Sequence, residues 1–596
     1  MRTPVVFDIE IYANYLLAMF RNIENGKTVH YELYDGVEFP AAKVMGLMRK
    51  HLLVSFNGRR FDVPLLMLAC AGEPVERIKE ACNAIIVDKQ EYWSDEFHKR
   101  FPDAAHGKDQ FDHIDLIEVA PGTASLKIYG GRLHSKRMQD LPIHPDDMIS
   151  PEQRQQLIEY CGNDLQTTID LWHALQPQLA LRATMTEHYG VDLRSKSDAQ
   201  IAEQVIRGRV QRDTGQWVER PTIKAGTEFQ YQTPGFVSFD TQVLRDALAT
   251  IEQARFFINA TGNVEMPLEI KNLKVPIGGS VYRMGIGGLH SSEESTAHVA
   301  KGCRIVDRDV ASYYPAIILK LGLYPKQMGD QFLRVYRDLV RRRLEAKASG
   351  DKVRADSMKI TINGSFGKFG SKWSTLYSPH LLIQTTVTGQ LCLLMLIEML
   401  EQHGIAVVSA NTDGVVLKIP IGMDDTVARV VWVWETITGF ETEETEYDAI
   451  YSRDVNNYVA LKKGGGTKLK GVFAPAALAK NPTNEVCIDA IVAMLEHGTS
   501  LETSIRYCND IRKFVTIRKV NGGAVKGDTF LGKAVRWYYA KGETGTINYK
   551  STGYTVARSE GGKPLMLLPD EMPDDVDYDW YIAEAKRILN DIGFKE

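Results

Sequence analysis

The amino-acid sequence predicts a multidomain α/β protein, and three observations carry that expectation. At 596 residues the chain has room for about three to five compact units. Short β-branched runs read as strands: PVVFDIEIY (4–12), and the paired runs of VVSANTDGVVLKI (407–419), a hairpin whose turn carries Asn411, Asp413 and Gly414. Between them lie helix-like stretches, among them PEQRQQLIEYCGNDLQTTIDLWHAL, opened by Pro151, and GQLCLLMLIEMLEQHG at 389–404.

Composition narrows the class. A 44% hydrophobic and 25% charged content is that of an ordinary globular chain. No uninterrupted apolar run approaches the ~20 residues needed to cross a bilayer. MRTPVVFDIE meets an acid by residue 8 and does not read as a secretory signal. Seven scattered cysteines without a C-x-x-C pair argue against a zinc ribbon or disulfide framework and fit a reducing cytoplasm. The net charge of −5 does not advertise a nucleic-acid binder. Between Arg334 and Lys372, however, eleven Lys/Arg face four acids, a local excess that suits an anion-binding surface.

The N-terminal third gathers carboxylates. Asp8 and Glu10 stand two apart on one face of the first strand. LLVSFNGRRFDVPLLML (52–68) reads as a strand, a glycine-containing turn and a helix with Asp62 near its start. On the helix opened by Pro151, Tyr160 and Asp164 are spaced i, i+4 and share a face. Each acid alone has a plain explanation as a solvated turn or a helix-dipole partner. Taken in order, D-x-E, N-x-x-x-F-D and Y-x-x-x-D resemble the three motifs of the proofreading 3′→5′ exonucleases. The resemblance implies that Asp8, Glu10, Asp62 and Asp164 hold two Mg²⁺ ions, hard cations suited to carboxylate oxygens. It implies that Tyr160 orients the attacking water and that Asn57 and Phe61 grip a frayed primer end. Segments 114–120 and 125–142 also look like this family, which places a lysine near the scissile phosphate. Lys136 is the first candidate for it and Lys127 the second.

Farther along, GCRIVDRDVASYYPAIILKLGLYP (302–325) reads as a strand closed by Asp309, a turn and a helix start. D-V-A-S-Y-Y-P-A-I-I resembles the first polymerase motif, D-x-x-S-L-Y-P-S-I-I, of family B DNA polymerases. KITINGSFGKFG (359–370) resembles that family's K-x-x-x-N-S-x-Y-G, with Gly364 for serine and Phe366 for tyrosine. ANTDG (410–414) falls where D-T-D-G belongs, with Asn411 in place of the first acid. By this resemblance Asp309, Asp413 and the backbone carbonyl of Val310 hold two Mg²⁺ ions, with Mn²⁺ as a substitute. Arg343, Lys347 and Lys359 meet the triphosphate, Tyr314 lies beneath the incoming sugar, and Asn363 and Phe366 pack at the nascent base pair. Tyr458 sits where a K-x-Y motif belongs, with Asn456 replacing its lysine. Tyr458, Lys468 and Lys470 are then expected to contact primer–template DNA. YRMGIGGLHSSEE (282–294) is expected as a glycine-rich link touching single-stranded template, and Trp537, Tyr538 and Tyr539 as core.

The implied architecture is a ribonuclease H-like 3′→5′ exonuclease domain (1–190), then a right-hand polymerase. Its parts are a linker and palm start (191–300), palm (301–330 and 373–475), fingers (331–372) and thumb (476–596). Protein-primed relatives carry insertions between the polymerase motifs, whereas here Asp309 to Lys359 and Asn363 to Asp413 each span 50 residues. A compact phage- or plasmid-type enzyme extending an ordinary primer is therefore expected, without the large N-terminal domain of cellular relatives. Its partners would be primer–template DNA, dNTPs and replisome factors. It would be a monomer in the cytoplasm, the host's if viral, with no membrane. The alternatives are a protein-primed polymerase, or an exonuclease whose polymerase half is only a DNA-binding scaffold.

Overall fold

The structure, a computed structural model, describes residues 2–107 and 110–594. The protein is a mixed α/β chain that divides into two compact units. Unit 1 comprises Met1–Ser197, Ala476–Val486 and Arg506–Tyr581, and unit 2 comprises Asp198–Pro475, Cys487–Ile505 and Ile582–Glu596. These units cut the chain differently from the expected domain boundaries, because most of the expected thumb clusters with the N-terminal residues.

Unit 1 is built on β1 (Pro4–Ile11), β2 (Leu16–Asn22), β3 (Thr28–Leu33), β4 (Leu52–Ser55) and β5 (His113–Asp115). They form a sheet in the order β3-β2-β1-β4-β5. β1 runs antiparallel to β2 and parallel to β4, and apolar clusters pack on both faces of the sheet. Three helices bring side chains to the centre of this sheet: α1 (Asp62–Ala71), α2 (Leu126–Arg132) and α3 (Pro151–Ala174). α3 begins with Pro151 at its first position and a Ser150–Gln153 capping box, which satisfies two of its free N–H groups.

Unit 2 starts with α4 (Asp198–Thr214), inside the segment expected as a linker. Its 10-stranded sheet, counted among the described residues, holds β6 (Val275–Ile277), β7 (Ser280–Met284), β8 (Leu289–Ser291), β9 (Glu294–Val299) and β10 (Cys303–Val310). After β10 come α5 (Tyr313–Leu321), the antiparallel pair α6 (Gln331–Ala348) and α7 (Lys352–Phe369), and α8 (Pro379–Gln402). The sheet is completed by β11 (Ala406–Asn411), β12 (Gly414–Pro420), β13 (Thr442–Asp454), β14 (Asn457–Lys462) and β15 (Thr467–Leu469). Its order is β15-β14-β13-β10-β12-β11-β8-β7-β6, with β9 paired to β13. The segment expected as a glycine-rich link is thus two strands of this sheet, β7 and β8, and the turn between them. α8 is apolar and long enough to span a bilayer, yet it is buried along most of its length in the core of unit 2.

The C-terminal part of unit 1 adds β16 (Thr516–Lys526), β17 (Thr529–Tyr539), β18 (Asn548–Tyr549) and β19 (Gly562–Pro564). Trp537, Tyr538 and Tyr539 on β17 are buried, as expected of core. α2 packs against this sheet so closely that a Cβ on Gly131 would fall 2.9 Å from Ile517. The seven cysteines are all free thiols.

Candidate active sites

The first candidate site lies at the centre of the unit 1 sheet. Asp8 and Glu10 project from the same face of β1, because strand side chains alternate. α1 brings Asp62 beneath them, where its carboxylate accepts the Ile9 N–H at 3.1 Å. α3 brings Tyr160 and Asp164, one turn apart and both buried. Four carboxylates are thereby collected, Asp62 and Asp164 buried and Asp8 and Glu10 half-buried, and each is shifted by burial and by charged neighbours. Burial and the neighbouring acids Asp62, Glu10 and Asp164 hold the Asp8 carboxyl well above its usual range. Burial and Asp164 raise Glu10, and burial raises Asp62 and Asp164. Such a cluster is relieved by a cation, and all its donors are hard oxygens, the set that suits Mg²⁺. The Cys161 sulfur is also within 4.8 Å of Asp8 and Glu10 oxygens, a soft neighbour that the motif reading passed over.

One lysine serves this cluster. Lys127 on α2 donates to the Tyr160 hydroxyl at 2.5 Å and to Asp140 at 3.0 Å, with its Nζ 4.7 Å from the centre of the Tyr160 ring. Asp140 is itself fixed by the Leu141 and Lys533 N–H groups. Lys136, the first candidate from sequence, instead pairs with the exposed Asp570 at the surface. The reason is geometric: α2 ends at Arg132, and Lys136 lies beyond it, outside the helix face that meets α3.

The turn after β4 carries Asn57 and leads into Phe61, which precedes α1. Asn57 adopts φ 70°, and its N–H donates to Asp115 at 2.7 Å, while the Arg59 N–H donates to the other oxygen at 3.0 Å. Asp115 therefore sets the shape of this turn. Gly58 is required within it, since a Cβ there would overlap the Ser55 hydroxyl. Phe61 is half-buried against the core under β1.

The second candidate site is on the unit 2 sheet, and the 407–419 hairpin presents it. Thr412 and Asp413 make a two-residue turn, with Thr412 at φ 57°, an unusual conformation for a β-branched residue. The Thr412 N–H donates to the Leu289 carbonyl, and Gly288 lies so close that a Cβ on it would fall 2.9 Å from the Thr412 Cα. The β7–β8 turn thus braces the hairpin tip. In the antiparallel register Asp309 stands opposite Gly414, and the Val310 N–H donates to the Asp413 carbonyl at 2.7 Å. A Cβ on Gly414 would overlap Asp309 Oδ1, so a side chain there would push the Asp309 carboxylate from its place beside Asp413. Burial first, then neighbouring Asp307, raises the Asp309 carboxyl; burial raises Asp413 against the pull of Lys470.

Beside these acids is a cavity of about 320 Å³ lined by Val310, Ser312, Tyr314, Arg343, Asn363, Phe366 and Asp413, among others. Tyr314 stacks on Phe366 with ring centres 4.4 Å apart, and its hydroxyl donates to the Gly287 carbonyl. Arg343 on α6 is held by the Ser312 hydroxyl at 3.1 Å. Lys347 and Lys359 are exposed and do not line the cavity. Lys347 is one turn beyond Arg343 on α6, and Lys359 shares the face of α7 that carries Asn363 and Phe366.

Of the three residues expected at DNA, two are turned inward and one is exposed. Lys468 is turned to the acids, with its Nζ 2.8 Å from Asp307 and 3.4 Å from Asp309. Asp307 is buried and also accepts the Tyr447 hydroxyl at 2.5 Å, so an acid that would be costly alone is paired and hydrogen-bonded. Burial would lower the Lys468 ammonium, but Asp307 outweighs it and holds the lysine firmly charged. Tyr458 is only 7% exposed and lines the crevice with Asp309, Asp413 and Lys468. Lys470 alone of the three is exposed, 5.9 Å from the centre of the Tyr458 ring. The sequence held a signal for Asp307: D-R-D at 307–309 has the same i, i+2 spacing as Asp8 and Glu10.

No protein-family model matches this chain, and no curated protein does. Among solved structures the chain is similar to the family B DNA polymerase from the hyperthermophilic archaeon Pyrobaculum calidifontis. The identity is 15% and the TM-score 0.41, over 100% of this chain and 79% of that chain. At those values the likeness assigns no residue a role, and the geometry of the two acidic clusters stands by itself.

Asn411 and Asn456, two departures from the motif pattern, meet in space. The Asn411 amide donates to the Val455 carbonyl at 3.0 Å and to the Asn456 side-chain oxygen at 3.2 Å. A neutral pair thus occupies two positions where the pattern has an acid and a lysine. Gly364 also has a structural reason, since a Cβ there would fall 2.5 Å from the Asp198 carbonyl at the start of α4.

Proposed function

We propose that this protein is a DNA-directed DNA polymerase that extends a nucleic-acid primer and proofreads it with a 3′→5′ exonuclease. The observation that carries the reading is the convergence of Asp309 and Asp413 at the edge of a nucleotide-sized cavity walled by Tyr314, Arg343, Asn363 and Phe366. The 50-residue gaps favour an ordinary primer, because α5 to α8, a short 3-10 turn at Lys326–Met328 and β11 fill them.

For synthesis, Asp309, Asp413 and the Val310 carbonyl are the oxygen donors that would hold divalent cations. When bound, such ions supply a lowered pKa at the primer hydroxyl and charge neutralisation at the triphosphate. Arg343 offers a guanidinium fork to phosphate oxygens, preset by Ser312. The stacked Tyr314 and Phe366 rings wall the sugar and base, and the tethered Tyr314 hydroxyl keeps the ring from yielding to a 2′-hydroxyl. Lys468, held by Asp307, which also accepts the Tyr447 hydroxyl, places a positive charge beside Asp309 and moderates the repulsion between the acids.

For hydrolysis, Asp8, Glu10, Asp62 and Asp164 are the donors for divalent cations, Mg²⁺ by the chemistry of the set. Burial and Asp164 keep the Tyr160 phenol protonated, so it orients water by hydrogen bonding. Lys127 brings positive charge toward the phosphate and steadies Tyr160. Asn57 and Phe61 border the path of a frayed end.

The test is a 5′-labelled primer on a longer template with Mg²⁺, with and without dNTPs. Wild type should extend with dNTPs and shorten without them. Asp8→Ala with Glu10→Ala should lose shortening and keep extension, while Asp309→Ala should lose extension and keep shortening. An Asp309→Ala protein that extends like wild type would refute the assignment of synthesis to this site.

A further inference from the structure

Trp217 and Trp373 are two of the exposed tryptophans of unit 2, and the residues beside them are firmly anchored. Trp217 is 75% exposed, while the adjacent Val218 is buried with Ile206 and Val210 of α4. Trp373 is 71% exposed, while Ser374 and Leu376 are buried and Thr375 is fixed to Glu203 of α4 by two hydrogen bonds. The indoles are therefore displayed, not left over at a loose end, and nothing in the core asks for them.

Cations flank both rings. The Arg207 guanidinium is 5.9 Å from the Trp217 ring centre; Arg220 and Lys372 are 5.3 and 5.2 Å from that of Trp373. Glu219 is the acid in the 217–220 stretch. Arg220, over Trp373, follows Trp217 by three residues in the chain. On α4, Glu203, Arg207 and Gln211 recur at i, i+4 and share one face. Among the described residues, Arg207 Nε and Gln211 Nε2 are buried donors with no hydrogen-bond partner. Buried donors without acceptors are rare, and an acceptor-only anion satisfies them. Exposed aromatics interleaved with cations and unpaired donors make a surface for stacked bases and phosphates.

Its position fits one strand. α7 carries Asn363 and Phe366 to the cavity and ends at Phe369, and α4 packs along it. Past Phe366 the helix adds only three residues, on the order of 5 Å, before the turn that carries Trp373.

We propose that Trp217 and Trp373, with Arg207, Gln211, Arg220 and Lys372, form a platform for the single-stranded DNA template adjoining the cavity. Its naming of the strand rests on the polymerase reading; the platform itself does not. The test is the affinity of labelled primer–templates with a one-nucleotide or an about eight-nucleotide template overhang. Wild type should gain about tenfold on the longer overhang. Trp217→Ala with Trp373→Ala should lose most of that gain, and the paired Phe substitutions should keep it. Arg207→Ala with Gln211→Ala should lose part of it and flatten its salt dependence. The platform is overturned if the alanine pair keeps the full gain or weakens both templates equally. It is also overturned if the pair only converts a wild-type dimer to monomer, which would make the patch a contact between copies. If wild type does not extend primers, the polymerase reading fails, and quenching of tryptophan fluorescence by single-stranded oligo(dT) decides the platform. Quenching lost in the alanine pair sustains it; no quenching in wild type sinks it.

Discussion

Asn411 donates two hydrogen bonds that an aspartate cannot, to the Val455 carbonyl and to Asn456. Asn411→Asp should therefore strand two acceptors beside a new charge and cost about 1–3 kcal/mol. Asn456→Lys added to it should recover most of that loss by pairing the charge. Urea midpoints of the two single variants and the double close the cycle, and additive losses would refute the coupling. The acids gathered at the two clusters were legible from sequence, because their spacings on a strand, a helix and a hairpin turn are local features. Their partners were not: Asp307 with Tyr447, Asp115 with the Asn57 turn, and Lys127 with Asp140 join residues that are not neighbours in the chain.

At the scale of elements, α7 shows why a poor helix former can be the right one. Gly364 admits the start of α4 against the helix, so Gly364→Ser should clash with the Asp198 carbonyl. The expected cost is about 1–3 kcal/mol by overpacking, with a raised KM for dNTP as Asn363 and Phe366 shift. A thermal midpoint unchanged from wild type would count against it. The basic excess of residues 334–372 is also partly paired inside the fold. Asp338 on α6 takes Arg209 from α4 and Arg341 and Arg342 from its own helix. Burial alone would raise that carboxyl, but hydrogen bonds from Arg209 and Arg341 bring it down to about 2. A depressed carboxylate stabilises above the ordinary range near pH 4 and loses that contribution as pH falls through its folded value. Asp338→Asn should thus be less stable than wild type at pH 5, and the gap in urea midpoint should close toward pH 2. A gap constant with pH would mean that the ion pairs contribute nothing.

At the scale of the molecule, each compact unit holds one acidic cluster, so damage to one should spare the other. Gly414→Ala places a methyl against Asp309 and should cut extension by at least about a hundredfold while shortening stays within about twofold. Loss of both activities in a primer gel would show instead that the units fail together. The sequence by itself determined the α/β class, the strand that carries Asp8 and Glu10, the helix of Tyr160 and Asp164, and the hairpin of Asp413. Those features are local, set by residue periodicity and turn chemistry within one or two elements. Only the tertiary structure decided that residues 506–581 cluster with the N-terminal sheet, that residues 282–294 brace the hairpin, and that Lys468 faces Asp307. Those outcomes follow from burial and charge pairing between distant segments, which no window of sequence contains.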